Sequence, residues 1–165
     1  MSIYERVKKY MCNNFNNNER SDGKNCIAEV LKVIDVLQKN ACPENCSDSC
    51  DRPILGGGTN CYVFNTRPVQ LFTCCGNGIP FSMPVCKDFI EVCSTTTGLN
   101  PSENCSTIFR VEKLEGNCCT FRVLVPNTDT TNCNIPWLAT NSFFTFDCDC
   151  LCAIRCLSDC FVECV

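Results

Sequence analysis

The apolar positions change period once along this chain. In SDGKNCIAEVLKVIDVLQKNACPENC, Ile27, Val30, Leu31, Ile34 and Leu37 recur at three- and four-residue steps, the spacing of one helix face. The pattern predicts an amphipathic helix over about 22–40, with Ser21 or Asp22 as its cap and its end before Pro43. Its stripe is expected to pack on the rest of the domain. From residue 60 the period becomes two. NCYVFNTRPVQLFTCCGNGIPF reads as two strands around a turn at Asn65–Pro68, closed by GNG. VCKDFIEVC, 85–93, reads as a further strand, and STIFRVEKLEGNCCTFRVLVP, 106–126, as a hairpin turning at Glu115–Asn117. FFTFDCDCLCAI, 143–154, is the last long strand, with loops over 95–104 and 127–136. One early helix followed by many short strands predicts a mainly β fold, an antiparallel, sandwich-like domain.

Organisation follows. Residues 1–20 form an extended Asn-rich arm, and 21–165 a single cysteine-rich domain. Within it the helix leads to a linker at 42–53, a β region at 54–156 and a tail at 157–165.

Composition changes the picture through cysteine. The chain has 20 cysteines among 165 residues, with 11 Phe, 3 Tyr, 1 Trp and no His. That density marks a disulfide scaffold, yet such scaffolds are usually short chains with thin cores. A chain of this length folds on its own core, so its cysteines exceed what stability asks for. The net charge is −4 and no basic face stands out, which argues against nucleic acid. No apolar run has the length of a membrane span. MSIYERVKKYMCNN lacks the apolar stretch of a secretory signal, which leaves three readings of the cysteines: they bind metal, they stay reduced, or the chain is made in a reducing compartment and meets oxidant later by a route other than secretion.

No metal or cofactor is expected. The sequence holds no C-x-x-C and no His, the usual zinc and iron–sulfur ligand patterns; its close pairs are instead CC at 74–75 and 118–119 and C-x-C-x-C at 148–152. Catalysis is not expected either. Without His there is no Ser-His or Cys-His pair, and GGGT at 56–59 lacks the G-K-[ST] of a phosphate loop. Asp147 and Asp149 could be paired carboxylates for acid–base work, but they are read as a solvated strand face.

The run CDCLCAIRCLSDCFVECV places Cys148, Cys150 and Cys152 at two-residue steps, and Cys152, Cys156, Cys160 and Cys164 at four. In an unbroken strand, Phe146, Cys148, Cys150, Cys152, Ile154 and Cys156 share one face. Thiols two apart along a strand lie roughly 7 Å apart, too far to join, so they must pair across to another strand or another molecule. Cys148, Cys150, Cys152, Cys156, Cys74, Cys75, Cys118 and Cys119 are therefore candidate core or cross-strand cysteines, one of each vicinal pair pointing outward. Cys12 on the arm, Cys160 and Cys164 on the tail, and Cys42, Cys46 and Cys50 in the linker are candidates for joining subunits, because exposed ends reach a neighbour with least strain.

NTRPVQLFT (65–73), STIFRVEKLEGNCCTFRVLVP (106–126) and FDCDCLCAIRCLSDC (146–160) resemble the successive signature blocks of the CotY/CotZ spore-coat proteins, the family that includes exosporium proteins of the ExsY type. The resemblance runs from about residue 24 to 160, and C-x-C-A-I-x-C-L, here Cys150 to Leu157, is its most specific part. It implies a non-enzymatic structural protein of the endospore surface (coat, crust or exosporium) that self-assembles into a disulfide-stabilised hexagonal sheet. The partners implied are further copies of itself and other coat or exosporium proteins. It also implies synthesis in the mother-cell cytoplasm followed by oxidation on the spore. The competing reading is a cytosolic metal-binding or thiol-buffering protein. The chain departs from the family pattern in having no His-rich terminus, an Asn-rich arm instead, and cysteines at 160 and 164.

Overall fold

The computed structural model describes residues 25–41, 64–90, 93, 104–129, 135–163 and 165. The arm at 1–20, the linker at 42–53, and Cys12, Cys42, Cys46, Cys50 and Cys164 lie outside the described residues.

Among the described residues one α-helix, α1 (Cys26–Lys39), precedes the strands. Its cap is Asn25, whose side-chain oxygen accepts from the backbone N–H groups of Ile27 and Ala28; the helix thus starts later than the Ser21 or Asp22 expectation, since Asn25 satisfies the orphan donors of the first turn. Strands β1 (Val69–Thr73), β4 (Ile108–Glu115), β5 (Cys118–Pro126), β6 (Trp137–Asp147) and β7 (Leu151–Cys156) form one antiparallel sheet in the order β6-β5-β4-β1-β7. Short strands β2 (Met83–Pro84) and β3 (Cys105–Ser106) pair separately, also antiparallel. The mainly β, antiparallel, one-helix architecture is the one the alternation predicts.

Local chemistry explains the turns. Asn77 and Gly78 both have positive φ, with Ile79 N–H bonded to Gly76 O at 2.9 Å, the backbone that Asn-Gly adopts most readily. The β4–β5 hairpin turns through Gly116, also at positive φ.

Among the described residues one expected strand and one expected turn are not formed, while the strand expected before that turn lies mostly outside the described residues. No strand runs through 85–90, and Asn65–Pro68 is an extended segment rather than a turn, with Thr66 bridged to Cys160. The last long strand is also broken. β6 ends at Asp147, a single 3-10 turn covers Cys148–Cys150, and β7 then pairs with β1 at the far edge of the sheet. Four Cα steps from Asp147 to Leu151 span at most about 15 Å, whereas four strand spacings in a flat sheet need about 19 Å. The sheet must therefore curl, and β6 and β7 act as one bent strand that turns the corner. β1 touches β4 at one register point, Val69 with Phe109, but pairs with β7 along its length.

The curled face encloses the main core. Val69, Leu71, Phe109, Val111, Cys119, Phe121, Val123, Cys148 and Leu151 fill it, and Ile27, Leu31 and Ile34 of α1 close it. Phe81, Phe109, Phe121, Phe144 and Phe146 interlock, with ring centroids 4.9 Å apart for Phe109 and Phe144 and 5.1 Å for Phe81 and Phe146. The inward stripe of α1 is Ile27, Leu31, Ile34, Asp35 and Gln38, while Val30 and Leu37, expected inward, are exposed. The helix is apolar on two sides, so periodicity alone did not orient it. Gln38 fixes the rotation by donating to Val111 O at 2.7 Å and accepting from Arg67 N–H.

A second, smaller core lies on the outer face. Ile108, Leu124, Cys160 and Val162 pack there with Trp137, Ala139 and Leu157. The tail is held to the Asn65–Pro68 segment. Asn65 donates to Val162 O at 2.8 Å and accepts from Val162 N–H at 2.9 Å, and Thr66 and Cys160 exchange backbone bonds. Cys160 is consequently 3% exposed, not on a reachable end as the sequence suggested.

Candidate functional site

Three cysteine motifs far apart in sequence meet where the end of β1 and the β4–β5 turn are brought together by the Cys148–Cys150 turn. Cys74 N–H bonds to Cys150 O at 3.1 Å, and Cys148 N–H bonds to Asn117 O at 2.9 Å. Cys118 is paired with Asp147 and Cys119 with Phe146. Cys74–Cys75, Cys118–Cys119 and Cys148–Cys152 thus share one pole. α1 begins there too: Asn25, beside Cys26, donates to Asp149 Oδ1 at 3.1 Å.

The bend that gathers them is built from side chains. Asp147 Oδ1 accepts from Asp149 N–H at 3.1 Å and from Asn117 Nδ2 at 2.7 Å. Asn117 therefore grips the turn twice, with its carbonyl and its amide, an anchor that sequence reasoning missed although Asn in a hairpin turn is its signal. Asp147 and Asp149, expected as a solvated strand face, are a turn cap and a helix anchor instead. The turn also resets the face alternation, so that Cys148 and Leu151 are inward while Cys152 and Cys156 are exposed and Cys150 is half-buried.

The cysteines at the pole fall into distinct environments. Cys74 and Cys152 are joined by a disulfide across β1 and β7. Cys119 and Cys148 are buried in the core. Burial pushes the Cys119 thiol up to about 12, with the neighbouring Cys148 adding to it. Burial also raises Cys148 to about 11, helped by Asp147 and Asp149. Both stay protonated and unreactive in the folded domain, because the thiolate is the nucleophile. Cys118, Cys75 and Cys26 are exposed. The vicinal pair at the start of β5 thus points one thiol out and one in, as strand alternation requires.

Elsewhere, Cys93 is joined to Cys105 over a separation of 12 residues, a bond no sequence pattern signalled. Cys156 is exposed at the end of β7 and Cys86 beyond β2, while burial raises Cys160 to about 11. Among the described residues no three His, Cys, Asp or Glu side chains are arranged to hold a metal ion, and no helix is long and apolar enough to cross a membrane.

The described thiols that face solvent outside the two disulfides therefore include Cys26, Cys86, Cys118 and Cys156. Sequence reasoning had instead favoured Cys160 among the described residues. These exposed thiols are open to reaction from outside, while the buried ones are shielded.

The family described as Spore coat protein Z matches residues 14–138 of this chain. A curated relative, spore coat protein Z of Bacillus subtilis (strain 168), is 27% identical over 146 residues, covering 81% of this chain and 88% of the relative. No solved structure matches.

Proposed function

Since the chain belongs to the Spore coat protein Z family, and so has a structural role in the spore coat, we propose that it is a non-catalytic subunit that assembles with copies of itself into a two-dimensional, hexagonal layer at the spore surface, held by disulfides between subunits. The observation that carries this reading is the division of thiols. The fold rests on an aromatic core, and exposed thiols remain at several places on the outside: Cys26 and Cys118 at one pole, Cys156 at the opposite end of β7, and Cys86 in the loop after β2. A chain that used cysteine only for its own stability would bury or pair these. Cys12, Cys42, Cys46, Cys50 and Cys164 join the same candidate set, and other coat or exosporium proteins are further partners.

Assembly is ordered: packing forms the domain and its contacts, and disulfides then make the assembly resist dissociation. Electron microscopy of purified full-length protein tests this. Oxidised protein is expected to form sheets or rings with a regular repeat, and reduced protein to keep its β circular dichroism signal. Dispersed monomers under both conditions would sink the assembly reading.

A further inference from the structure

We propose that the Cys74–Cys152 disulfide is an exchangeable bond, taken over by an exposed pole thiol of a second copy, Cys118 or Cys26. The inference rests on the assembly reading and supplies its chemistry. Three observations support it. The bond sits at the sheet edge, with Cys152 exposed and Cys74 half-buried, so one sulfur is open to attack. Exposed thiols of Cys118 and Cys26 lie at the same pole. In the assembly proposed above, two such poles brought together by a two-fold axis would present the thiols of each copy to the disulfide of the other. The bond is also not the only tie on its strand. β7 keeps five register pairs with β1, from Val69–Cys156 to Thr73–Leu151, so the strand holds its place when the disulfide moves.

The step balances without an oxidant. The Cys118 thiolate of one copy attacks the Cys152 sulfur of the other, forming a bond between chains. The Cys74–Cys152 bond breaks, and its electron pair leaves on Cys74 as a thiolate, which takes up the proton lost from Cys118. One disulfide is consumed and one is made. Cys119 and Cys148 take no part, because they are buried.

Counting thiols separates exchange from oxidation. Full-length protein is isolated dilute with the Cys74–Cys152 bond formed, its free thiols are titrated, and it is concentrated under argon with a chelator. Multimers are expected on non-reducing gels with the free-thiol count per chain unchanged. Peptide mapping is expected to show Cys152 joined to Cys118 or Cys26 of another chain, with Cys74 open to alkylation. Cys152→Ser should slow this oxidant-free cross-linking at least tenfold. Because a variant lacking the disulfide folds less stably, the double variant Cys26→Ser, Cys118→Ser, which keeps the bond, must show the same loss with an unchanged β signal. A loss of two thiols for every cross-link, Cys152 still bonded to Cys74 in the multimers, or undiminished cross-linking of the double variant each overturns the proposal. Multimers that need added oxidant defeat exchange alone; no multimers even with oxidant defeat the assembly reading.

Discussion

At the end of the sheet where β1 begins, Asn65 holds the backbone of Val162 from both sides, Arg67 is paired to Asp159 with Nε–Oδ1 at 2.7 Å, and Thr66 and Cys160 bond as in a short ladder. At the end where β1 finishes, the closest tie is a disulfide surrounded by thiols. The first end is tied by hydrogen bonds and an ion pair, with no disulfide among its described residues. Nearby on the outer face, Arg110 and Arg122 stand directly opposite each other, yet Glu112 lies between them, 2.9 Å from Arg110 Nη1 and 2.6 Å from Arg122 Nε. The second end also carries a bond that reductant can break. The difference teaches that hydrogen bonds set the fold of the tail, while at the thiol pole the exposed Cys26 and Cys118 stay available for chemistry.

The largest expected effect is on thiol reactivity. In a short alkylation pulse at neutral pH, Cys26, Cys86, Cys118 and Cys156 should label faster than Cys119, Cys148 and Cys160 by about 1,000-fold or more, because the buried set reacts only when the domain opens. Mass spectrometry of the peptides reads this. Fast labelling of Cys160 would mean that the tail is not held as described. The same burial has a pH consequence. The buried thiols titrate at about 12, 11 and 11 in the folded chain, above an ordinary thiol. Their contribution to stability is present below the ordinary thiol range and is lost as pH rises toward 11 to 12. Denaturant midpoints measured from pH 8 to 11 should fall, and Cys119→Ala should flatten that fall.

Next in size is the covalent tie. Removing the Cys74–Cys152 bond, which spans 78 residues of sequence, should cost about 2–4 kcal/mol. Dithiothreitol should cost wild type that amount together with the contribution of Cys93–Cys105, whereas Cys152→Ser should lose only the latter. Equal sensitivity of both chains to reductant would show other disulfides carrying the stability.

Asn65→Ala attacks the opposite end. It leaves the carbonyl and N–H of Val162 without their partner in a buried place, at about 1–3 kcal/mol for each group left unsatisfied. The loss should be the same with or without reductant, as read by denaturant melts. A loss confined to oxidised protein would undo the division between the two ends.

The smallest effect belongs to the exposed pair of Arg67 and Asp159. Arg67 holds the Asp159 carboxyl below its usual range, so the pair stabilises the fold above the ordinary carboxylate pH and loses that contribution as pH falls through the lowered value. Both side chains are more than a third exposed, so solvent screening limits Asp159→Asn to below about 1 kcal/mol near neutral pH. Thermal melts from pH 7 down to 3 should converge for the two chains.

The sequence by itself determined the elements whose causes are local. The hairpin over 106–126 follows from two alternating runs around Gly116, the Asn-Gly turn at 77–78 from backbone freedom, and the helix from a three-to-four-residue repeat. The split of Cys118 and Cys119 into an outward and an inward thiol needed only strand alternation. Tertiary structure decided what depends on distant partners. Alternation runs unbroken from Phe146 through Cys156 in sequence and hides the bend at Cys148–Cys150; Asp147 caps it locally by accepting from Asp149 N–H, and Asn117 and Asn25, remote in the chain, hold Asp147 and Asp149 in place. Two sides of α1 are apolar, and Gln38 reaching Val111 chooses between them. Cys160 is near the end of the chain, which suggested exposure, yet Ile108 and Leu124 offer an apolar outer face that buries it. The meeting of three cysteine motifs at one pole has the same origin: periodicity records which side of its own strand a residue faces, while curling of the sheet, set by long-range pairing, decides which strands' ends come together.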